Sequence, residues 1–294
     1  MRILLLGANG QVGHELRRAL APQGEVVCTT RSGRLDGAAA CQVADLERYD
    51  ALGALIERIA PDVVINAAAY TAVDRAESEP EAAFRVNAEA PAVLAAACAA
   101  RDALLVHYST DYVFDGRSDR PYREDDPVAP INVYGRSKFA GEEAIRACGA
   151  RHMILRTAWV YADRGHNFMR TMLRLAGERP ELRVVADQWG SPTPAALVAD
   201  TTAAILARPP SGSGTWHVAA AGGTSWHGFA EAVLARAALL GRIATAPRVV
   251  PIATADYPTP ARRPACSRLD SGRLQRDFGI VMPGWEAALA SVLR

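Results

Sequence analysis

The chain has 294 residues, 50% of them hydrophobic and 22% charged, with a formal net charge of +1. This is the composition of a folded globular protein with room for about two domains. The near-zero charge gives no sign of an electrostatic partner such as nucleic acid or an anionic membrane surface, so none is expected, and no apolar run approaches the roughly 20 residues of a membrane span.

RILLL (2–6) runs straight into a glycine loop, so it reads as a first strand and not as a signal peptide. QVGHELRRALA (11–21) then reads as a helix, EVVCTT (25–30) as a second strand, and 50–60 as a helix leading into a third strand, DVVIN (62–66). EAAFRVNAEAPAVLAAACAAR (81–101) reads as one long helix. LLVHYST (104–110) is a fourth strand, 134–147 a helix, and HMILRTAWV (152–160) a fifth strand. Apolar strands alternating with helices predict an α/β fold, with a Rossmann-like, doubly wound parallel sheet covered on both faces. Beyond 160 the order is helix 167–178, strand 182–187, loop QWGSPTP (188–194), helix 196–208, strand 215–220 and a last helix at 229–240. The proline-rich PIATADYPTPARRP (251–264) reads as an ordered lining segment. Cys28, Cys41, Cys98, Cys148 and Cys266 are odd in number and show no paired spacing. A reducing cytoplasm is expected, with no disulfide framework and no metal site. The six histidines are scattered, form no HExxH, and read as ordinary.

Gly7, Gly10 and Gly13 form GxxGxxG directly after the first strand, with Gln11 and Val12 opening the helix. Glycines there let the backbone turn sharply and approach a pyrophosphate, and the helix N-terminus offers free N–H groups. A dinucleotide is therefore expected. The second strand ends in Thr30-Arg31-Ser32, with no acid before Asp36 to hold a ribose 2′-hydroxyl. Arg31 suits a 2′-phosphate, which points to NADPH with NADH as the alternative; it reads equally well as a solvated loop residue.

Tyr134 and Lys138 lie four apart at the start of a helix, so a phenol and an ammonium share one face. Alone, that pair is commonplace. But the fourth strand ends in His107-Tyr108-Ser109-Thr110-Asp111, at the carboxyl edge where open α/β sheets bind ligands. A hydroxyl, a phenol and an amine can thus converge over a bound nicotinamide.

The combination resembles the short-chain dehydrogenase/reductase superfamily in its extended form, which carries a sugar-nucleotide domain. The motifs NAAAYTAVDRAESEPEAAFRVNA (66–88), HYSTDYVFDG (107–116), NVYGRSKFAGE (132–142), ILRTAWVYA (154–162), NFMRTMLRLA (167–176) and YPTPARRPACSRLD (257–270) are similar, nearly end to end, to the dTDP-4-dehydrorhamnose reductase family. The missing acid at strand two is the departure. The resemblance implies a Rossmann domain over 1–160 with 193–222, and a smaller α/β sugar-nucleotide domain over 161–192 with 223–294. It implies hydride transfer to the C4 carbonyl of a dTDP-linked 4-keto-6-deoxy sugar, with Tyr134 as acid. Lys138 would lower the phenol's pKa and bond the nicotinamide ribose, and Thr110 would take the serine's usual place.

It further implies cofactor contacts at Asp45, Leu46, Ala68, Ala69, Tyr70 and Tyr108, and sugar contacts at Thr71, Val73, Asp111 and Trp159. Asn167, Gln188 and Arg263, with neighbouring Arg262, would meet the diphosphate or base. Asn87 would brace the site. By residue type alone, Asp45 reads equally as a helix cap, Trp159 as core and Asn87 as surface. Relatives place Mg²⁺ between subunits through an acid matching Glu15, but no acidic partner is evident here, so no metal is expected. A monomer or homodimer is expected. Two rivals stay open: another 4-keto sugar reductase or epimerase, and a non-catalytic NADP-binding subunit like that of methionine adenosyltransferase.

Overall fold

The computed structural model describes residues 1–35, 40–210 and 212–294; Asp36 lies outside them. The first half runs β1 (Arg2–Leu6), α1 (Gln11–Leu20), β2 (Glu25–Thr30), β3 (Gln42–Val43), α2 (Asp50–Ile59), β4 (Val63–Asn66), α3 (Val73–Ala76), α4 (Pro80–Phe84), α5 (Ala90–Ala99) and β5 (Leu104–Thr110). Then come α6 (Val133–Cys148), β6 (His152–Thr157), β7 (Val160–Tyr161), α7 (Phe168–Ala176), β8 (Glu181–Val185), β9 (Trp189–Gly190), β10 (Thr193–Pro194) and α8 (Ala195–Ala207). The chain ends with β11 (Gly214–His217), β12 (Thr224–Ser225), α9 (Trp226–Leu239), β13 (Arg248–Ile252), α10 (Gly272–Phe278) and α11 (Trp285–Val292).

The main sheet has seven strands in the order β11-β6-β5-β4-β1-β2-β3. Every pair in it is parallel. The winding reverses between β1 and β4, which opens a crevice at their carboxyl ends. Both faces are covered because side chains alternate across a strand. Leu5, Val106 and Tyr108 pack with Leu16 of α1 and Val198 of α8. Leu4, Leu6 and Leu105 pack on the other face, with Leu55 of α2, Leu94 of α5 and Ile145 of α6. A third core joins Tyr161, Met169, Met172, Leu182, Phe229, Trp285 and Leu289. Leu274 of α10 instead packs into the first core, with α1 and α8.

Four details depart from the sequence reading. The long helix expected over 81–101 is interrupted: α4 gives way to a π-helical turn, Arg85–Glu89, before α5. Pro91 has no N–H to return to the Asn87 carbonyl, so the regular ladder cannot pass through. The fifth strand stops at Thr157, because Trp159 takes a left-handed φ of 46°. The helix at 229–240 is not the last; β13, α10 and α11 follow it. The short β3 also went unread, since two residues carry no period.

Candidate active site

Gly7 follows β1 with φ +76°, and a Cβ there would lie 2.9 Å from the Ala67 carbonyl carbon. A Cβ on Gly13 would lie 2.1 Å from the Gly7 oxygen. Only glycine therefore lets α1 start this close to β4. Gly10 caps the helix without a side-chain bond, and the first turn holds no acid. The leading N–H groups, including those of Gln11 and Val12, are left for an anion. The Gln11 side chain turns to the C-terminal half, where its Oε1 accepts from Asn167 Nδ2 at 2.8 Å.

At the end of β2, the Thr30 hydroxyl is engaged by its own turn: it accepts from Arg34 N–H at 3.0 Å. Arg31 is exposed and faces Glu47 at 3.7 Å. Asp45 caps the short turn Leu46–Arg48 by accepting from Glu47 N–H at 3.1 Å, and the Leu46 side chain is buried in the core beside Leu4 and Leu6. After β4, Ala68 and Ala69 are half-buried and Tyr70 is buried.

The catalytic candidates meet at the carboxyl end of β5. The Thr110 hydroxyl neighbours the Tyr134 phenol and donates to Asp111 Oδ1 at 3.0 Å. The Tyr134 ring meets Tyr112 edge-on, with centroids 5.6 Å apart. Burial raises the Tyr134 pKa above the ordinary phenol value; the Thr110 hydroxyl works against this, and Asp111 and Tyr112 add to it. The protein alone thus holds a protonated phenol and does not lower its pKa. Lys138 is buried one turn along α6. Its Nζ donates to the Tyr108 carbonyl at 2.6 Å and lies 3.2 Å from His107 Nε2. Burial lowers its pKa to about 8, with Glu142 acting the other way. The Tyr108 phenol points to the opposite sheet face, where it bonds Thr202 at 2.7 Å.

On the expected substrate side, Thr71 is exposed and Val73 half-buried at the start of α3. Trp159 lies flat against Trp226, centroids 3.4 Å apart and planes 1° off parallel, so one of its faces is covered. Asn167 caps α7 through Arg170 N–H, and its amide N–H groups go to Gln11 and two backbone carbonyls. Gln188 is buried and donates to Thr254 at 3.0 Å. Arg263 pairs with Asp74 at 2.6 Å, while Arg262 offers its carbonyl to Asn132. Asp111 is buried, with Oδ2 unpartnered.

The whole chain, residues 1–294, matches the family model described as the RmlD substrate binding domain. It is 50% identical to a dTDP-4-dehydrorhamnose reductase of Burkholderia thailandensis, over 100% of this chain and 98% of that one. The chain belongs to the dTDP-4-dehydrorhamnose reductase family. It is 44% identical to the Escherichia coli reductase, covering 100% of this chain and 97% of that one. The solved dTDP-4-dehydrorhamnose reductase of Bacillus anthracis, in complex with NADP, superposes with a TM-score of 0.89 at 34% identity, covering 99% and 98% of the two chains.

Several residues of this family member escaped the sequence reading. His107, taken as ordinary, touches the lysine. Ser267, in the ACSRLD segment, is buried and works to keep the Asp111 carboxyl ionised. Tyr112 packs on the candidate acid and lies 3.5 Å from Arg263. Asn87, for which a brace and a surface residue both stood open, is buried. Its Oδ1 accepts from Tyr70 N–H at 2.9 Å, and its Nδ2 donates to Tyr70 O and Ser137 Oγ, each at 3.0 Å. The π turn that carries Asn87 is of the kind found at functional sites. Lys138 is also the only lysine in the chain, every other fixed cation being arginine. That count was available from the sequence. Among the described residues no His, Cys, Asp or Glu group is clustered to hold a metal, and no helix is long and apolar enough to cross a membrane.

Asp111 yields a prediction with a sign. Burial raises its pKa from 3.8 to about 6, against the Ser267 and Thr110 hydroxyls. A folded pKa above the unfolded one means that ionising Asp111 costs stability. The cost is absent below about pH 4 and complete above about pH 6, where it reaches about 3 kcal/mol. Asp111→Asn is therefore expected to gain stability at pH 8, a gain that shrinks as pH falls toward 4. Urea denaturation across that range checks it; a gain independent of pH would remove the carboxylate's charge as the cause.

Proposed function

We propose that this chain reduces the C4 carbonyl of dTDP-4-dehydro-L-rhamnose with NADPH to give dTDP-L-rhamnose. The observation that carries the reading is the buried Lys138, fixed by the Tyr108 carbonyl at the carboxyl end of β5, with Tyr134 one turn before it on α6 and the Thr110 hydroxyl alongside. The glycine cradle, which any Cβ would fill, and the uncapped α1 fit a dinucleotide pyrophosphate. When bound, a reduced nicotinamide supplies a hydride to the carbonyl carbon.

The chain's own residues handle the oxygen. Thr110 orients it, and Tyr134 gives it a proton as negative charge develops. Lys138, fixed by the Tyr108 carbonyl, has donors left to hold the ribose. Asp111, with one bare oxygen, would take a sugar hydroxyl. Thr71, Val73 and the free part of Trp159 would border the ring, and Gln188, Asn167 and Arg263 the diphosphate and base. The elements around the third core would form the sugar-nucleotide domain.

Purified protein supplied with dTDP-4-dehydro-L-rhamnose, made in place from the preceding dehydratase and epimerase, tests the reading. Epimerase-dependent NADPH oxidation is expected. Oxidation without the epimerase would move the assignment to another 4-keto sugar. Binding of NADPH without any oxidation would favour the non-catalytic rival.

Arg31 is proposed to meet the NADPH 2′-phosphate by leaving Glu47. The ratio of kcat/KM for NADPH over NADH is expected to exceed one, and to fall about 10-fold or more in Arg31→Ala, as loss of one charge-assisted bond implies. An unchanged ratio would return Arg31 to the solvent.

A further inference from the structure

The lysine's surroundings contain a chain of hydrogen bonds whose direction is fixed from one end. Ala68 N–H is a backbone donor and cannot turn round; it lies 3.2 Å from Asn66 Oδ1. Asn66 must therefore present its oxygen to Ala68 and its Nδ2–H to the other side, where His107 Nδ1 lies at 3.1 Å. His107 Nδ1 then has to accept. In a neutral imidazole the single proton is consequently on Nε2. That nitrogen faces Lys138 Nζ at 3.2 Å. An Nε2–H pointing at Nζ finds a lone pair only if the lysine is an amine; an ammonium would set two donors face to face.

Sheet register places this chain across two strands. Asn66 and His107 are direct partners in the β4–β5 ladder, and both side chains are buried. Among the described residues, the ionisable groups around the amine are few. On α6 itself are Tyr134 and Glu142. Glu142 is already paired with Arg156 of β6 and with Arg146. From β5 come His107 and Tyr108, the phenol of Tyr108 being turned to the far face. Asp111 and Tyr112 face Tyr134 from the turn after β5. Burial holds His107 neutral, its pKa well below 6.5, and Lys138 adds to that effect.

We infer that Asn66 and His107 act as a tautomer clamp that favours the neutral amine of Lys138 in the free protein, so that its charge is taken up only when a ligand in the crevice offers Nζ a better acceptor. Asn66 and His107 are then positioning residues that act through Lys138. The inference rests on the reading of Lys138 as part of the reductase site, but its physical core does not need turnover. It also gives a reason for the lone lysine. An arginine could not deprotonate and would leave the histidine N–H without an acceptor.

Because the chain has one lysine, ¹³C-lysine labelling of the full chain gives one ε-carbon resonance to titrate. Imidazole ¹⁵N shifts, assigned with His107→Gln, report the histidine tautomer in the same sample. The expected result is the Nε2–H tautomer, with a Lys138 midpoint near the value of about 8 that its burial implies. Asn66→Asp supplies an acceptor to both Ala68 N–H and His107 Nδ1–H. It should flip the tautomer and raise the midpoint by at least one unit, a tenfold gain in proton affinity. An Nδ1–H tautomer in the wild-type protein, or a midpoint within one unit of a free lysine's roughly 10.4, would overturn the inference. The wild-type measurement decides even if Asn66→Asp fails to fold. Full turnover in Lys138→Met would instead sink the catalytic role of the lysine and leave the tautomer result standing.

Discussion

Replacing Tyr134 with phenylalanine is expected to lower kcat about 10²- to 10⁴-fold, the usual contribution of a positioned general acid. The substitution removes one oxygen and little else. The edge-on contact with Tyr112, at 5.6 Å between centroids, is made by the ring and survives. Removing a hydroxyl that neighbours Thr110 costs about 1 kcal/mol of stability at most, so the thermal midpoint should scarcely move. Cofactor affinity should also hold, since the glycine loop is untouched. Burial keeps the wild-type phenol protonated, as an acid must be before it acts. Steady-state kinetics with NADPH and the 4-keto sugar check the prediction, and turnover near the wild-type rate would remove Tyr134 from the mechanism.

The largest expected loss of stability lies one turn beyond the lysine. The Glu142 side chain is wholly buried and accepts from Arg156 Nε at 2.9 Å and Nη2 at 2.7 Å, and from Arg146 at 2.7 Å. Burial pushes its pKa up, but Arg156 and Arg146 hold it below the ordinary 4.5. Glu142→Leu would strand the buried Arg156 guanidinium over the Phe114 ring, 5.2 Å away. A loss of about 3–5 kcal/mol is expected, a large part of a domain's total stability. The double variant with Arg156→Leu should recover most of it, because it is the unpaired charge and not the missing pair that costs. Since the folded pKa is depressed, the pair's contribution is present at neutral pH and fades as pH falls through that pKa. Urea denaturation of the two variants checks this. Equal losses in the single and the double would show that packing and not charge holds the site.

What could be read from the sequence followed from periodicity and spacing. Continuous apolar strands gave away the parallel sheet, and Gly7, Gly10 and Gly13 after β1 gave away the crevice. Tyr134 and Lys138 stood out because a helix puts residues four apart on one face. What escaped was decided by tertiary contact. His107 looks like any scattered histidine until the β4–β5 register sets it beside Asn66 and under Lys138. Ser267 lies more than a hundred residues from Asp111, and no local pattern marks it. The π turn at Asn87 was hidden because its sequence is as helical as its neighbours, and only Pro91 hinted at a break. Arg263 looked like a free cation for a diphosphate, yet its partner Asp74 could not be paired with it by spacing.

The most direct measurement uses NADPH deuterated at the transferable C4 position, dTDP-4-dehydro-L-rhamnose and the purified chain, with the product examined by NMR. The account predicts dTDP-L-rhamnose carrying deuterium on the sugar C4 alone. Deuterium at another carbon, none at all, or a product of the opposite configuration at C4 would contradict it.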